Sequence, residues 1–186
     1  ELVEDHPQTA TTEHNGTEVI FVPDQEIFGT YNFISEHVEV MLKNYVYLHA
    51  GLTIRFNGTS YYSKNGLLDL LEDSMTSPGL YPIIHLKSED IEIAMTHGNQ
   101  YGEEYYTFVN GQNTPQGGTH LLAFREAVVK TIRDFYNKDF DIADIKTSII
   151  AAVSIKIEDP VFESQTKTKL GSKNMTPNGA SIRNYM

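Results

Sequence analysis

Near residue 119 the hydrophobic period of this chain changes sharply, and that change limits the folds open to it. Beyond Thr119, the residues Leu121, Phe124, Val128, Ile132 and Phe135 recur three and four apart, while Arg125, Glu126, Lys130 and Arg133 take the other face. That is the period of an amphipathic helix, about 28 Å long if it runs to Asn137. From Ile149 to Ile157 the pattern becomes a strand whose apolar start is almost unbroken, which marks a central place in a sheet. The earlier apolar runs are short and bounded by turn residues. Strands first, then a long helix and one more buried strand, imply a layered α+β fold.

The smaller elements follow by the same reasoning. Val19–Val22 is a β-branched and aromatic run closed by Pro23-Asp24, so a buried strand is expected. Ile34, Val38, Met41, Leu42, Tyr45 and Leu48 fall at helical spacing, with Ser35 as the expected cap. Leu52–Phe56, Asn57-Gly58 and Thr59–Tyr62 read as a hairpin, because Asn-Gly supplies the two positive φ angles of a tight primed turn. A short helix is expected over 66–72. Strands at 81–87, 91–96 and 105–109, separated by polar turns, predict an antiparallel meander. Residues 141–146 form a second short helix, and 180–185 begin another.

A chain of 186 residues should bury roughly 70% of its unfolded surface, so it needs no covalent staple. It has no cysteine, which removes thiolate zinc sites and cysteine nucleophiles and favours a reducing compartment. A net charge of −11 argues against a general nucleic-acid or anionic-membrane surface. The charge is uneven, however. From Thr166 onward there are four cations and no Asp or Glu, so a small basic segment follows an acidic body. No run is long and apolar enough to span a membrane, and no export signal opens the chain, which reads as a soluble, cytoplasmic piece cut from a longer protein.

Two segments invite chemistry. Asn110–His120 is a Gly-rich loop opening into the long helix, where free N–H groups at the helix start could hold an anion. Alternatively, Gly117 and Gly118 only let the loop turn while Thr119 caps the helix. The loop matches neither dinucleotide nor phosphate-loop motifs. The second segment is Gln165-Thr166-Lys167, where a lysine on a long stem beside a neutral donor suits a phosphate; the plain alternative is a solvated basic loop. The seven histidines form no His-x-His or His-Glu-x-x-His pair, so no metal site is expected. Of the three Asn-x-Thr triplets, at Asn15, Asn57 and Asn174, the first two read as turns, and without a Gly-x-Ser-x-Gly elbow there is no support for a serine hydrolase.

The run Phe162–Gly171 resembles the Gln-Thr-Lys loop of the ATPase subunit of bacterial type IIA DNA topoisomerases. Gly117-Gly118-Thr119-His120 resembles the helix entry of that family's transducer domain, and Gly16–Asp24 the last strand of its nucleotide-binding domain. These landmarks keep the family's order. Ile27-Phe28, Tyr31-Asn32-Phe33 and Gly98–Tyr101 look more like the B subunit of topoisomerase IV than that of gyrase.

The resemblance implies a flexible or residual segment at 1–15, the end of a GHKL nucleotide-binding domain at 16–28, and a transducer domain at 29–186. The transducer fold is two-layered, a four-stranded sheet on helices with a left-handed crossover, as in GHMP kinases and ribosomal-protein domain 2. By the same resemblance Lys167 reaches the γ-phosphate of ATP across the domain boundary, with Gln165 beside it and Thr17 near the adenine pocket, while Lys169 supports the loop. ATP and Mg²⁺ belong to the complete subunit. The glutamate base, Asp-x-Gly-x-Gly motif and lid of the family are not recognisable here, so this piece is not expected to hydrolyse ATP alone. Implied partners are its own GHKL domain, a second copy of the B subunit, the DNA-cleaving A subunit, and a duplex in the dimer cavity, in a nucleoid-associated enzyme. A non-catalytic dimerisation or spacer module is the alternative. A GHMP-type small-molecule kinase fails for want of that class's phosphate loop.

Overall fold

The computed structural model describes residues 10–12 and 14–186. The chain divides into two compact units, one up to Ile34 and one from Ser35 to Met186. Much of the segment expected at 1–15 lies outside the described residues.

In the first unit, helix α1 (Gln25–Phe28) is capped by Asp24, whose Oδ1 accepts from the Glu26 amide at 2.8 Å. Phe28, Tyr31 and Phe33 meet edge to face, with ring centroids 5.0–6.1 Å apart. The strand expected at Val19–Val22 does not form, and these four residues are 66–87% exposed. A strand needs a neighbour for its backbone N–H and C=O groups, and none of the described strands pairs with this run.

The second unit opens with helix α2 (Ser35–Leu48), in which Ser35 is the first helical residue. Its inward line is Val38, Leu42 and Val46, while Met41 and Tyr45, expected to face the core, stay exposed. Strands β1 (Thr53–Phe56) and β2 (Thr59–Tyr62) form the expected hairpin, with Asn57 and Gly58 at φ +48° and +82°. Helix α3 (Leu67–Ser74) follows.

The main sheet contains β3 (Ile84–Lys87), β4 (Ile91–His97), β5 (Glu104–Val109), the two-residue β6 (Gln112–Asn113) and β7 (Ile149–Ile155), in the order β3-β4-β7-β5-β6. Between β6 and β7 come α4 (Thr119–Tyr136) and α5 (Ile142–Lys146), the latter capped by Asp141. The short helix α6 (Ile182–Tyr185) ends the chain. The expected meander is therefore wrong at its third strand. β7 inserts between β4 and β5, antiparallel to the first and parallel to the second. The parallel pairing is possible because α4 and α5 supply the long crossover that parallel neighbours require.

Central β7 explains its own composition. Ile149, Ala151, Val153 and Ile155 pack toward Ala123, Phe124, Val128 and Val129 of α4, while Ile150 and Ala152 pack with Leu67, Leu70 and Leu71 of α3. Both faces of the strand are covered, so period-2 alternation between polar and apolar disappears. The result is the expected α+β sheet-and-helix arrangement, with α3 on part of the second face and with five strands where four were expected, because the two-residue β6 adds an edge beside β5. No helix among the described residues is long and apolar enough to cross a membrane.

Candidate functional site

The site is built where the loop after β7 returns to the start of α4. Leu170 is 1% exposed and belongs to the core between β7 and α4, so the loop has a buried root. On one side of that root lies the Gly-rich loop. The Gln116 amide donates to the Thr168 carbonyl at 3.0 Å, the Leu170 amide to the Gly117 carbonyl at 3.0 Å, and the Thr119 amide to the Leu170 carbonyl at 3.2 Å. These contacts make a short parallel bridge between Gly118 and Leu170.

Gly118 is required by this approach. Its φ is +130°, and a Cβ there would lie 2.3 Å from the Leu170 carbonyl oxygen and 2.5 Å from its nitrogen. Thr119 is not the helix cap expected from the sequence. Gly118 occupies the cap position without a side chain, and the Thr119 hydroxyl donates to the Ser172 carbonyl at 2.5 Å. The Thr119 amide at this helix start is already taken by the Leu170 carbonyl, so it is not among the N–H groups open to an anion.

Below the glycines, His120 is fully buried. Its Nε2 lies 3.3 Å from the Thr114 hydroxyl, which is 2.9 Å from that of Thr107 on β5. Burial lowers the imidazole to about 4, so it is neutral at neutral pH. Two further residues complete the support, Asn110 at the start of the Gly-rich loop and Ser172, which the sequence did not single out. Asn110, at φ +50°, exchanges two 2.8 Å hydrogen bonds with the Ile157 backbone and carries the β5–β6 turn with Gly111. Ser172 accepts at its carbonyl from Thr119 and at its Oγ from the Val161 amide. The Asn110-Gly111 pair repeats the dipeptide that revealed the first hairpin, so that turn was readable.

The tip of the loop presents the lysine. Phe162 pairs antiparallel with Leu170, forming a neck, and the Lys167 amide closes a turn on the Ser164 carbonyl at 3.0 Å. Lys167 has φ +56°, which costs a residue with a Cβ about 1 kcal/mol. Gln165, Thr166 and Lys167 are exposed, and no carboxylate of the described residues pairs with the Lys167 ammonium. Lys169 instead meets Glu163 at 2.9 Å. Thr17 is exposed and belongs to the first unit, whereas the loop and the Gly117–Thr119 entry belong to the second. No group of three His, Asp or Glu side chains able to hold a metal ion occurs among the described residues. A free cation, an amide donor beside it and a firm base can bind a phosphate oxygen by charge-assisted hydrogen bonding.

Comparison with known proteins gives a family. Residues 33–182 match the DNA gyrase B family. The chain is 44% identical over 163 residues to the B subunit of DNA topoisomerase 4 from Borreliella burgdorferi, covering 87% of this chain and 27% of that protein. It is 33% identical over 184 residues to the B subunit of DNA gyrase from Helicobacter pylori, covering 89% of this chain and 24% of the relative. The chain thus spans about a quarter of the length of these two relatives. Among solved structures, the 43K ATPase domain of Thermus thermophilus gyrase B in complex with an aminocoumarin matches at TM-score 0.67 and 25% identity, over 87% of this chain and 48% of that one. The ATPase region of Saccharomyces cerevisiae topoisomerase II matches at TM-score 0.62 and 25% identity, over 81% and 40%.

Proposed function

This chain belongs to the DNA gyrase B family, and from that premise we propose that it is the transducer segment of the ATPase subunit of a bacterial type II DNA topoisomerase, coupling ATP turnover to DNA strand passage. The observation that carries the reading is the Lys167 ammonium. Among the described residues it stands unpaired, and it is exposed on a loop whose root is buried in the core. Its task is to cross from residues 29–186 into a GHKL domain that ends within residues 16–28, and to contact the γ-phosphate of ATP, with Gln165 donating beside it. Thr17 lines the adenine side. Gly117, Gly118 and Thr119 hold the loop's base. ATP and Mg²⁺ act in the complete subunit, and this chain's share is one positive charge where the phosphoryl group is transferred. Its partners are a second B subunit, the DNA-cleaving A subunit, and a duplex passing between the two B subunits, in the nucleoid. The greater identity to the topoisomerase 4 relative, 44% against 33%, favours that branch over gyrase.

A cation in a nearly dry site beside the transferring phosphate is worth about 3 kcal/mol, or about 100-fold in rate. Lys167→Ala in the complete subunit, assembled with its DNA-cleaving partner, is expected to slow ATP turnover about 100-fold while nucleotide binding changes far less. Turnover near the parent value would overturn the coupling role and leave the spacer-module alternative.

A further inference from the structure

The two arms of the Lys167 loop are held very unequally. The descending arm is tied down by the Gln116–Thr168, Gly117–Leu170 and Thr119–Leu170 hydrogen bonds. The ascending arm is rooted at Val161 and Phe162, but from Glu163 to Gln165 its only ties among the described residues run to the other arm or within the tip. The Glu163 amide donates to the Lys169 carbonyl at 3.0 Å, and the Glu163 carboxylate meets the Lys169 ammonium at 2.9 Å. Beyond that point, the Ser164 and Thr166 hydroxyls lie 2.6 Å apart and the Lys167 amide returns to Ser164.

Resting on the coupling role proposed above, we infer that Glu163 and Lys169 are positioning residues, an ion-pair clasp that aims Lys167 and keeps it the loop's single unpaired cation. Two physical points lead there. The side chains are 55% and 41% exposed, and an ion pair so open to water adds only about 0–1 kcal/mol to stability. The fold does not depend on it. The direction of the arm does, because among the described residues the only other side-chain contacts above Phe162 are the hydroxyl contacts Ser164–Thr166, at 2.6 Å, and Thr166–Thr168, at 3.5 Å, which lie within the tip and carry no charge. Glu163 also neutralises Lys169, which would otherwise present a second mobile ammonium two residues from Lys167 and compete for the same phosphate oxygens.

The test uses the complete subunit with DNA and its DNA-cleaving partner, comparing Glu163→Gln, Lys169→Gln, the reversed pair Glu163→Lys with Lys169→Glu, and Lys167→Ala as reference. Each single clasp variant is expected to lower kcat about three- to fivefold, with KM for ATP within about twofold. Thermal midpoints should stay within about 2 °C of the parent. The reversed pair should recover kcat to within about 1.5-fold of the parent, as a restored coupling requires. Singles at the parent kcat, a reversed pair no faster than the singles, or slowing seen only with a lowered midpoint would each overturn the clasp. Slow Lys167→Ala beside a normal Glu163→Gln discards the clasp alone, whereas normal Lys167→Ala discards the coupling role and the clasp with it.

Discussion

Gly118 and His120 show how single positions shape the loop from below. At Gly118 a methyl group would meet the Leu170 backbone, and backbone can yield only by moving the loop root out of the core. Gly118→Ala is expected to cost about 2 kcal/mol or more, lowering the thermal midpoint by about 5 °C. A midpoint equal to the parent's would show that the root is not fixed there. His120 gives a pH signature. Its folded-state value lies near 4, below the ordinary 6.5, so the unfolded chain takes up the proton first as pH falls. Stability therefore declines from about pH 6.5 down to about pH 4, by about 3 kcal/mol in total. Urea unfolding across that range should show the decline, and His120→Asn should flatten it. At this scale the Gln-Thr-Lys segment stood out as the start of an acid-free stretch in an acidic chain, while a phosphate role for it prevailed over a solvated loop only through the family resemblance. The need for Gly118 was legible only as flexibility. What it approaches lies fifty residues on, and no local pattern carries that information. Glu163 was invisible as a functional residue, since its partner is defined by a neck that forms only in the fold.

Among the elements, hydrophobic period found most helices and strands, but pairing order escaped it. The meander expected at 81–109 assumed that neighbours in sequence are neighbours in space; β7 breaks the rule because its run is apolar enough to take the centre. The strand expected at 19–22 failed for the converse reason, an apolar run without a ladder partner. Helix α3 adds a contact that sequence spacing does not reveal. Its cap residue, Gly66, has no side chain to offer, and Oε1 of Glu92 on β4 accepts the Leu67 amide at 2.9 Å instead. Burial pushes the Glu92 carboxyl up, but bonds from Lys87, the Leu67 amide and His85 outweigh it and hold the group below the usual carboxylate range. Glu92→Ala is expected to destabilise the chain by about 2 kcal/mol, by removing this cap from a half-buried site. Hydrogen exchange should report the loss first in α3, and uniform protection there would contradict it. Because the carboxyl is depressed, its contribution is complete above the ordinary carboxylate range and is lost as pH falls through that range and below it, overlapping the acid end of the His120 window.

For the whole molecule, net charge sets the terms of any contact with DNA. At −11, with only a short basic tail, this chain should bind duplex DNA weakly at physiological salt, and a tight complex with a steep salt dependence would contradict that expectation. The α+β class was legible from the order of periods; the resemblance put a domain boundary at 28/29, whereas the compact units part after Ile34, where no Pro- or Gly-rich linker marks the chain. Leu170 has one more consequence. The same side chain that ends the lysine loop is wedged beneath the longest helix, so a tug at the tip has little slack to take up before it reaches the central sheet. The arrangement behaves less like a tether than like a lever with its fulcrum set in the floor.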